Sequence, residues 1–203
     1  MEKLTADFFG RDTVSVAQNL LGKYLVRVWE GIPLTVRITE TEAYIGRIDK
    51  ACHAYGGRRT RRTETLYAPP GTAYIYLIYG MHHCLNFVTE AEGEPAAVLI
   101  RAGEPVTQAD ADAISVRRFH CTAFEMSAYQ KKNFLNGPGK LCKGLSLTTS
   151  ENGISLTGNQ LYLLDSGEVP AHIHAGKRIG IDYAEEAVDF PWRFWIENGG
   201  FYL

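Results

Sequence analysis

Between residues 23 and 101 the β-patterned runs follow one another with no helical segment between them, and that order constrains the fold more than any other feature of the 203-residue chain. Strands that do not alternate with helices build a mixed or antiparallel sheet rather than the parallel sheet of βαβ units. The clearest pair is 72–78 and 82–88, separated by Tyr79-Gly80-Met81. This is a hairpin pattern in which Gly80 supplies the positive φ of the turn, and it puts Tyr79 at a tip rather than in a core. Further runs are expected at 23–29, 34–45 and 96–101, with short ones at 145–148, 154–156, 161–164, 179–181 and 192–196. A helix is expected over 11–22, with Asp12 as N-cap and Gly22 past its end, and a polar helical section over 107–132. The fold class is α+β.

The composition fits one globular domain over 1–203, since nothing in the chain reads as a linker. With 21 Lys+Arg against 23 Asp+Glu the net charge is −2, which excludes a histone-like polycation. The longest strongly apolar run, 73–79, is far short of the roughly 20 residues that cross a bilayer. Acidic residues at the start stand where a secretory signal needs an apolar stretch, so the expected address is cytoplasmic, or nucleoid-associated in a bacterium. The four cysteines are single and widely spaced and are read as reduced. Three of them adjoin a histidine, which invites a zinc reading. Against it, neighbours on a strand point to opposite faces and no Cys-x-x-Cys or His-x-x-x-His pair is present.

Three features carry chemistry. In 34–45 the alternate positions Val36, Ile38, Glu40, Glu42 and Tyr44 are expected on one face, which places carboxylates beside apolar residues. That is costly unless they reach solvent or a partner, so a cleft edge is expected there, and a carboxylate at such an edge can activate water. An edge-strand charge pair is the plainer alternative. Second, Tyr44, Tyr55, Tyr67, Tyr74, Tyr76 and Tyr79 lie within 36 residues. Tyrosine suits stacking on a planar base, although Tyr74 reads better as core. Tyr79, exposed at a tip, gains a partner by inserting between DNA bases. Third, Arg58-Arg59-Thr60-Arg61-Arg62 gives the segment 53–84, with Glu64 its one acid, a local charge of +3. Such a run suits the phosphate backbone. It lies within a polar stretch, 46–71, longer than loops in compact domains usually are.

Residues 38–105 closely resemble the alkyladenine (3-methyladenine, or methylpurine) DNA glycosylase family. The likeness rests on Ile-Thr-Glu-Thr-Glu-Ala-Tyr-Ile-Gly from Ile38, on His53, on Gly56-Gly57-Arg58, on the run from Pro70 to Met81, and on Leu99-Ile100-Arg101-Ala102-Gly103-Glu104-Pro105. It continues more weakly through Phe8-Phe9-Gly10-Arg11-Asp12, Gly137-Pro138-Gly139-Lys140-Leu141-Cys142, Arg178-Ile179-Gly180-Ile181 and Pro191-Trp192-Arg193-Phe194. The helix-hairpin-helix glycosylases are a different class. With the residue reading, the resemblance implies a single mixed domain with a curved, largely antiparallel β-sheet flanked by helices and a protruding β-hairpin. It implies an enzyme that flips an alkylated or deaminated purine out of duplex DNA and hydrolyses its N-glycosidic bond in base excision repair.

The resemblance makes Glu42 the general base and gives Arg101 a part in holding the attacking water. It makes Tyr44 one wall of the base pocket and His53 and Tyr76 the other, with His53 also bonding the flipped nucleotide's phosphate or sugar. Asn86 takes the position that disfavours the exocyclic amine of guanine, and Tyr79 is the intercalating residue. Arg58, Thr60, Gly80 and Met81 fall in a region that contacts the DNA backbone. The chain departs from the vertebrate pattern at Arg61-Arg62-Thr63-Glu64, at Tyr67 and at His82-His83. No lysine occurs between Ala51 and Gln130, which favours water over an amine nucleophile and a monofunctional enzyme. The expected partner is double-stranded DNA containing damaged purines, bound by a monomer with no cofactor, no metal and no membrane. The rival readings are a non-catalytic nucleic-acid-binding module and a zinc hydrolase.

Overall fold

The computed structural model describes residues 1–197. Eight strands form one antiparallel sheet: β1 (Tyr24–Trp29), β2 (Ile32–Ile45), β3 (Ala73–Ile78), β4 (His82–Thr89), β5 (Ala96–Pro105), β6 (Leu161–Leu164), β7 (His174–Gly176) and β8 (Arg193–Trp195). Their order is β3-β4-β5-β2-β1-β6, with β8 pairing the second half of β2 and β7 pairing β8. The helices are α1 (Ala6–Phe9), α2 (Thr13–Asn19), α3 (Gln108–Phe119), α4 (Ala128–Lys132) and α5 (Pro138–Gly144). This is the expected α+β class with a hairpin of β3 and β4. No helix among the described residues is long and apolar enough to cross a membrane.

Capping chemistry sets the helix ends. The Asp12 carboxylate accepts from the Ser15 N–H at 2.8 Å, and Thr107 and Asp110 form a reciprocal capping box on α3. Val16 and Ala17 of α2, with the following Leu20 and Leu21, bury their side chains in the main core with Leu25, Ile38, Phe87 and Ile100. Across the opposite face of the sheet, the stretch 46–71 folds into a second layer rather than an open loop. Two short 3₁₀ turns, Tyr55–Gly57 and Glu64–Tyr67, help seat Cys52, Ala54, Leu66 and Tyr67 against Tyr74, Val88 and Ala97. Tyr74 is buried, as its strand position implies. All four cysteines are free thiols.

The alternation expected in β2 does not hold. In its pairing with β5 the register skips Thr39 on one strand and Arg101 on the other, so that Ile38 faces Gly103, Glu40 faces Ala102 and Thr41 faces Ile100. Each skip is a β-bulge, which adds one residue and inverts the face of everything after it. Val36, Ile38 and then Ala43 therefore lie in the main core, and the Thr41 hydroxyl donates to the Ala17 carbonyl at 2.8 Å. Glu40, Glu42 and Tyr44 are turned to the other side, away from Val36 and Ile38.

The second half of the chain differs more from expectation. Residues 145–148, 154–156 and 179–181 are not strands; Ser155 makes only an isolated bridge to Thr72. Apolar runs of three or four residues carry too little periodicity to separate strand from turn. The helix α5 goes unpredicted although Pro138 at its first position is a helix-start signal.

Candidate active site

The bulge at Thr39 presents Glu42 to a charged, hydrogen-bonding environment instead of to the core. Its side chain has no exposed surface. Oε2 accepts from the Tyr44 hydroxyl at 2.8 Å, Oε1 accepts from the Ile179 backbone N–H at 2.8 Å, and Arg101 Nη1 lies 3.4 Å from Oε1. Burial raises the Glu42 pKa; Arg101, the Ile179 N–H and the Tyr44 hydroxyl pull it back, and Glu40 adds to the rise. Arg101 is itself held by Glu40, Nε to Oε1 at 3.1 Å, and the same oxygen accepts from Arg193 at 3.1 Å. The two carboxylates thus have different partners: Glu40 neutralises cations, and Glu42 faces one cation and two neutral donors.

Tyr44 and Arg101 lead from Glu42 into a cavity of about 450 Å³. Its walls include His53, Tyr74, Tyr76 and Asn86 on one side and Ile179, Gly180 and Tyr183 on another. The His53 and Tyr76 rings meet edge to face with centroids 4.6 Å apart, and Tyr74 and Tyr76 lie 5.3 Å apart. His53 Nδ1 is 3.2 Å from the Tyr74 hydroxyl. Burial first, and then the positive charge of Arg62, push the His53 pKa down to about 4, so the ring is neutral near pH 7. The Asn86 amide nitrogen donates to the carbonyls of Tyr74 and Cys84 at 3.1 and 3.3 Å, which fixes the side chain against the cavity wall. A volume of this size with aromatic walls and a few fixed polar groups suits a planar heterocycle.

Tyr79 stands at the cavity rim on the hairpin tip and is 82% exposed. Sequence assigned the positive φ of the turn to Gly80 alone, but Tyr79 has φ 53° as well as Gly80 at 68°. A bulky residue in that region is an outlier, and here it holds an aromatic ring outward beside the cavity. Met81 is also exposed.

The arginine run does not act as one block. Arg59 pairs with Glu64 and lies over the Tyr67 ring. Arg62 lies over the Tyr76 ring at 5.2 Å. Arg58 and Thr60 are exposed and outside the cavity wall, with Thr60 tied to Thr63 and the Arg58 carbonyl accepting from the Thr63 hydroxyl. The structure thus brings Glu42, Arg101, Tyr44, His53, Tyr76, Asn86 and Tyr79 around one cavity and leaves Arg58 and Thr60 beside it.

Several residues at the site were not singled out from sequence. Arg178 is buried and donates to both oxygens of Asp49 and to the carbonyls of Ala43 and Ala187. Its guanidinium packs 4.6 Å from the Tyr44 ring centroid and 5.1 Å from that of Trp192. This anchor sets the next residue, Ile179, against Glu42. The segment 136–140 forms another wall, and Lys140, beyond the lysine-free stretch 51–130, reaches the cavity from α5. Its Nζ donates to the side-chain oxygens of Asn133 and Asn136 at 2.9 and 2.8 Å, while burial and then Arg118 lower its pKa. Asp49 and Arg178 are 129 residues apart, and no local pattern announces their pairing.

Comparison with known proteins identifies the family. The methylpurine-DNA glycosylase family model matches residues 7–199. A Clostridium perfringens protein provisionally named 3-methyladenine DNA glycosylase is 52% identical over 202 residues, covering 98% of each chain. Proteins of the same provisional name from Desulfitobacterium hafniense and Alkaliphilus oremlandii are 47% and 46% identical, each over 98% of this chain and 97% and 98% of their own. With residues 7–199 matched by the family and relatives near half identity along almost its whole length, the chain belongs to the methylpurine-DNA glycosylase family.

Proposed function

We propose that this hydrolase flips an alkylated or deaminated purine out of duplex DNA into the aromatic cavity and cleaves its N-glycosidic bond with water, leaving an abasic site. The observation that carries the reading is a fully buried carboxylate, Glu42, set behind the wall of an aromatic cavity large enough for a purine, whose rim bears an exposed tyrosine.

In this reading Tyr44 and Tyr76 flank the base. A purine alkylated at N3 or N7 is positively charged, and aromatic faces favour it over a neutral base by about 0.5 to 2 kcal/mol. The same charge weakens the glycosidic bond, so the ring needs no added proton. Glu42, ionised, accepts the proton of the attacking water and stabilises the oxocarbenium-like transition state. The Tyr44 hydroxyl and Arg101 stand between the carboxylate and the cavity. Arg101 holds the carboxylate ionised and helps orient the water. Asn86, braced by two carbonyls, presents a fixed shape that disfavours the exocyclic amine of guanine. Flipping costs a few kcal/mol, and Tyr79 recovers part of this by filling the vacated stack. Arg58, Thr60, Gly80 and Met81 meet the DNA backbone, and the protein acts as a monomer.

The deciding experiment is release of free base from duplex oligonucleotides carrying 3-methyladenine, 7-methylguanine, hypoxanthine or ethenoadenine, with EDTA present. The parent releases at least one of these bases. Glu42→Gln binds the same duplexes and releases almost none. Near-normal single-turnover cleavage by Glu42→Gln overturns the assignment.

A further inference from the structure

Arg62 has no role in the reading above, yet it touches the aromatic wall more closely than any other arginine of its run. Its Nη2 lies 3.5 Å from His53 Nε2, and its guanidinium is 5.2 Å from the Tyr76 ring centroid. It is paired with no carboxylate among the described residues, whereas its neighbour Arg59 is engaged by Glu64. The side chain is exposed and outside the cavity itself, against two residues of its wall.

The contact with His53 also orients the arginine. A guanidinium only donates hydrogen bonds and carries five N–H groups, so the 3.5 Å approach of one nitrogen to His53 Nε2 leaves the others for a ligand. On the ring's other side, His53 Nδ1 lies 3.2 Å from the Tyr74 hydroxyl. The planar fork of the guanidinium suits phosphate oxygens.

We infer that Arg62, braced by His53 and Tyr76, binds a backbone phosphate flanking the flipped nucleotide. The inference rests on the flipping reading above. It makes Arg62 a residue for lesion engagement in either charge class of substrate, since a phosphate is the same beside a cationic or a neutral base.

The test is a double-perturbation cycle on lesion duplex binding and single-turnover cleavage. Duplexes carry 7-methylguanine or hypoxanthine, with the phosphate on the 5′ or the 3′ side of the lesion nucleotide replaced in turn by an uncharged methylphosphonate. Arg62→Gln is expected to weaken binding of both lesions in parallel by about tenfold, the scale of one charge-assisted hydrogen bond. The slope of log affinity against log salt should fall by about one. One of the two methylphosphonates should weaken the parent similarly and leave Arg62→Gln unaffected, and Arg62→Lys should keep part of the affinity. If the methylphosphonate and Arg62→Gln losses multiply at both sides, or if Arg62→Gln binds as the parent does, the inference fails. It also fails if Arg62→Gln changes only the ratio of cationic to neutral lesion, because the charge then acts on the base. Failure of the flipping reading has a different signature: the parent releases neither base and does not distinguish lesion from undamaged duplex.

Discussion

The Ile179 backbone N–H donates to Glu42 Oε1 at 2.8 Å, joining β2 to a segment 137 residues later in the chain. A main-chain donor cannot titrate or change rotamer, so it orients the carboxylate without supplying charge. The charge comes from Arg101, whose attraction is the largest influence opposing the rise that burial imposes on the Glu42 pKa. The base form is the active one, so the single-turnover rate should increase with pH through a midpoint above 4.5, the ordinary glutamate value. Arg101→Gln removes the opposing charge and should move that midpoint to higher pH, beyond any loss in rate. An acid limb that stays in place in Arg101→Gln, read from pH–rate profiles, would count against the pairing.

The Arg178–Asp49 pair is buried on both sides. Removing one member leaves an uncompensated buried charge, so Asp49→Ala should cost about 3 to 5 kcal/mol in urea unfolding. Joint replacement, Arg178→Met with Asp49→Leu, should cost much less than the sum of the single changes. If the two losses simply add, the pair is not coupled. In the joint variant the Ile179 donor loses its anchor, so cleavage should suffer more than stability.

His53 imposes an acid sensitivity on the fold. Its folded pKa of about 4 lies below the ordinary value of 6.5, with burial the main cause and Arg62 the second. The unfolded chain takes up the proton first, so this contribution to stability is complete above about pH 6.5 and is lost as pH falls toward 4. His53→Asn should melt less steeply with acidification than the parent between pH 7 and 4.5. Parallel melting curves for the two proteins would refute the linkage.

Tyr79→Ala should weaken binding to lesion duplex more than it slows cleavage of a base already outside the stack. Equal affinity of variant and parent for abasic-site DNA would remove the intercalating role. A change to glycine at 79 relieves the positive φ and should raise thermal stability slightly while lowering affinity as far as alanine does.

Lys140 makes the choice of nucleophile testable at one atom. Its Nζ is engaged by Asn133 and Asn136, which favours water as the attacking group. Borohydride should trap no covalent adduct with lesion DNA. If an adduct forms and Lys140→Ala abolishes it, the enzyme uses the amine and the water mechanism fails.

What the chain reveals in advance depends on how local the determinant is. The β3–β4 hairpin, α2 with its Asp12 cap, and the exposed Tyr79 follow from patterns a few residues long, and all three are found. The motif around Glu42 and Tyr44 was legible, but the face it presents was not, because no residue type marks Thr39 as a bulge. Residues 179–181 read as a strand because Ile179 and Ile181 are branched and apolar, yet Gly180 sits at φ 75° and the segment serves as a wall. Arg178 stands in a stretch that carries the family resemblance, but its partner Asp49 lies in a stretch read as loop, so only the assembled fold joins them.

The two bulges in β2 and β5 cancel. Beyond them the strands return to the offset they had before, with Val36 opposite Pro105 and Ile45 opposite Ala96. The sheet therefore behaves like a text with one letter inserted in each of two facing lines: the margins still align, and only the reading between them has shifted. Deleting Thr39 alone would misalign the margins and turn Glu42 and Tyr44 toward α2, while Thr41 and Ala43 would take their places at the cavity. The reactive face of this protein is thus a matter of phase along a strand, and one residue with no chemistry of its own sets it.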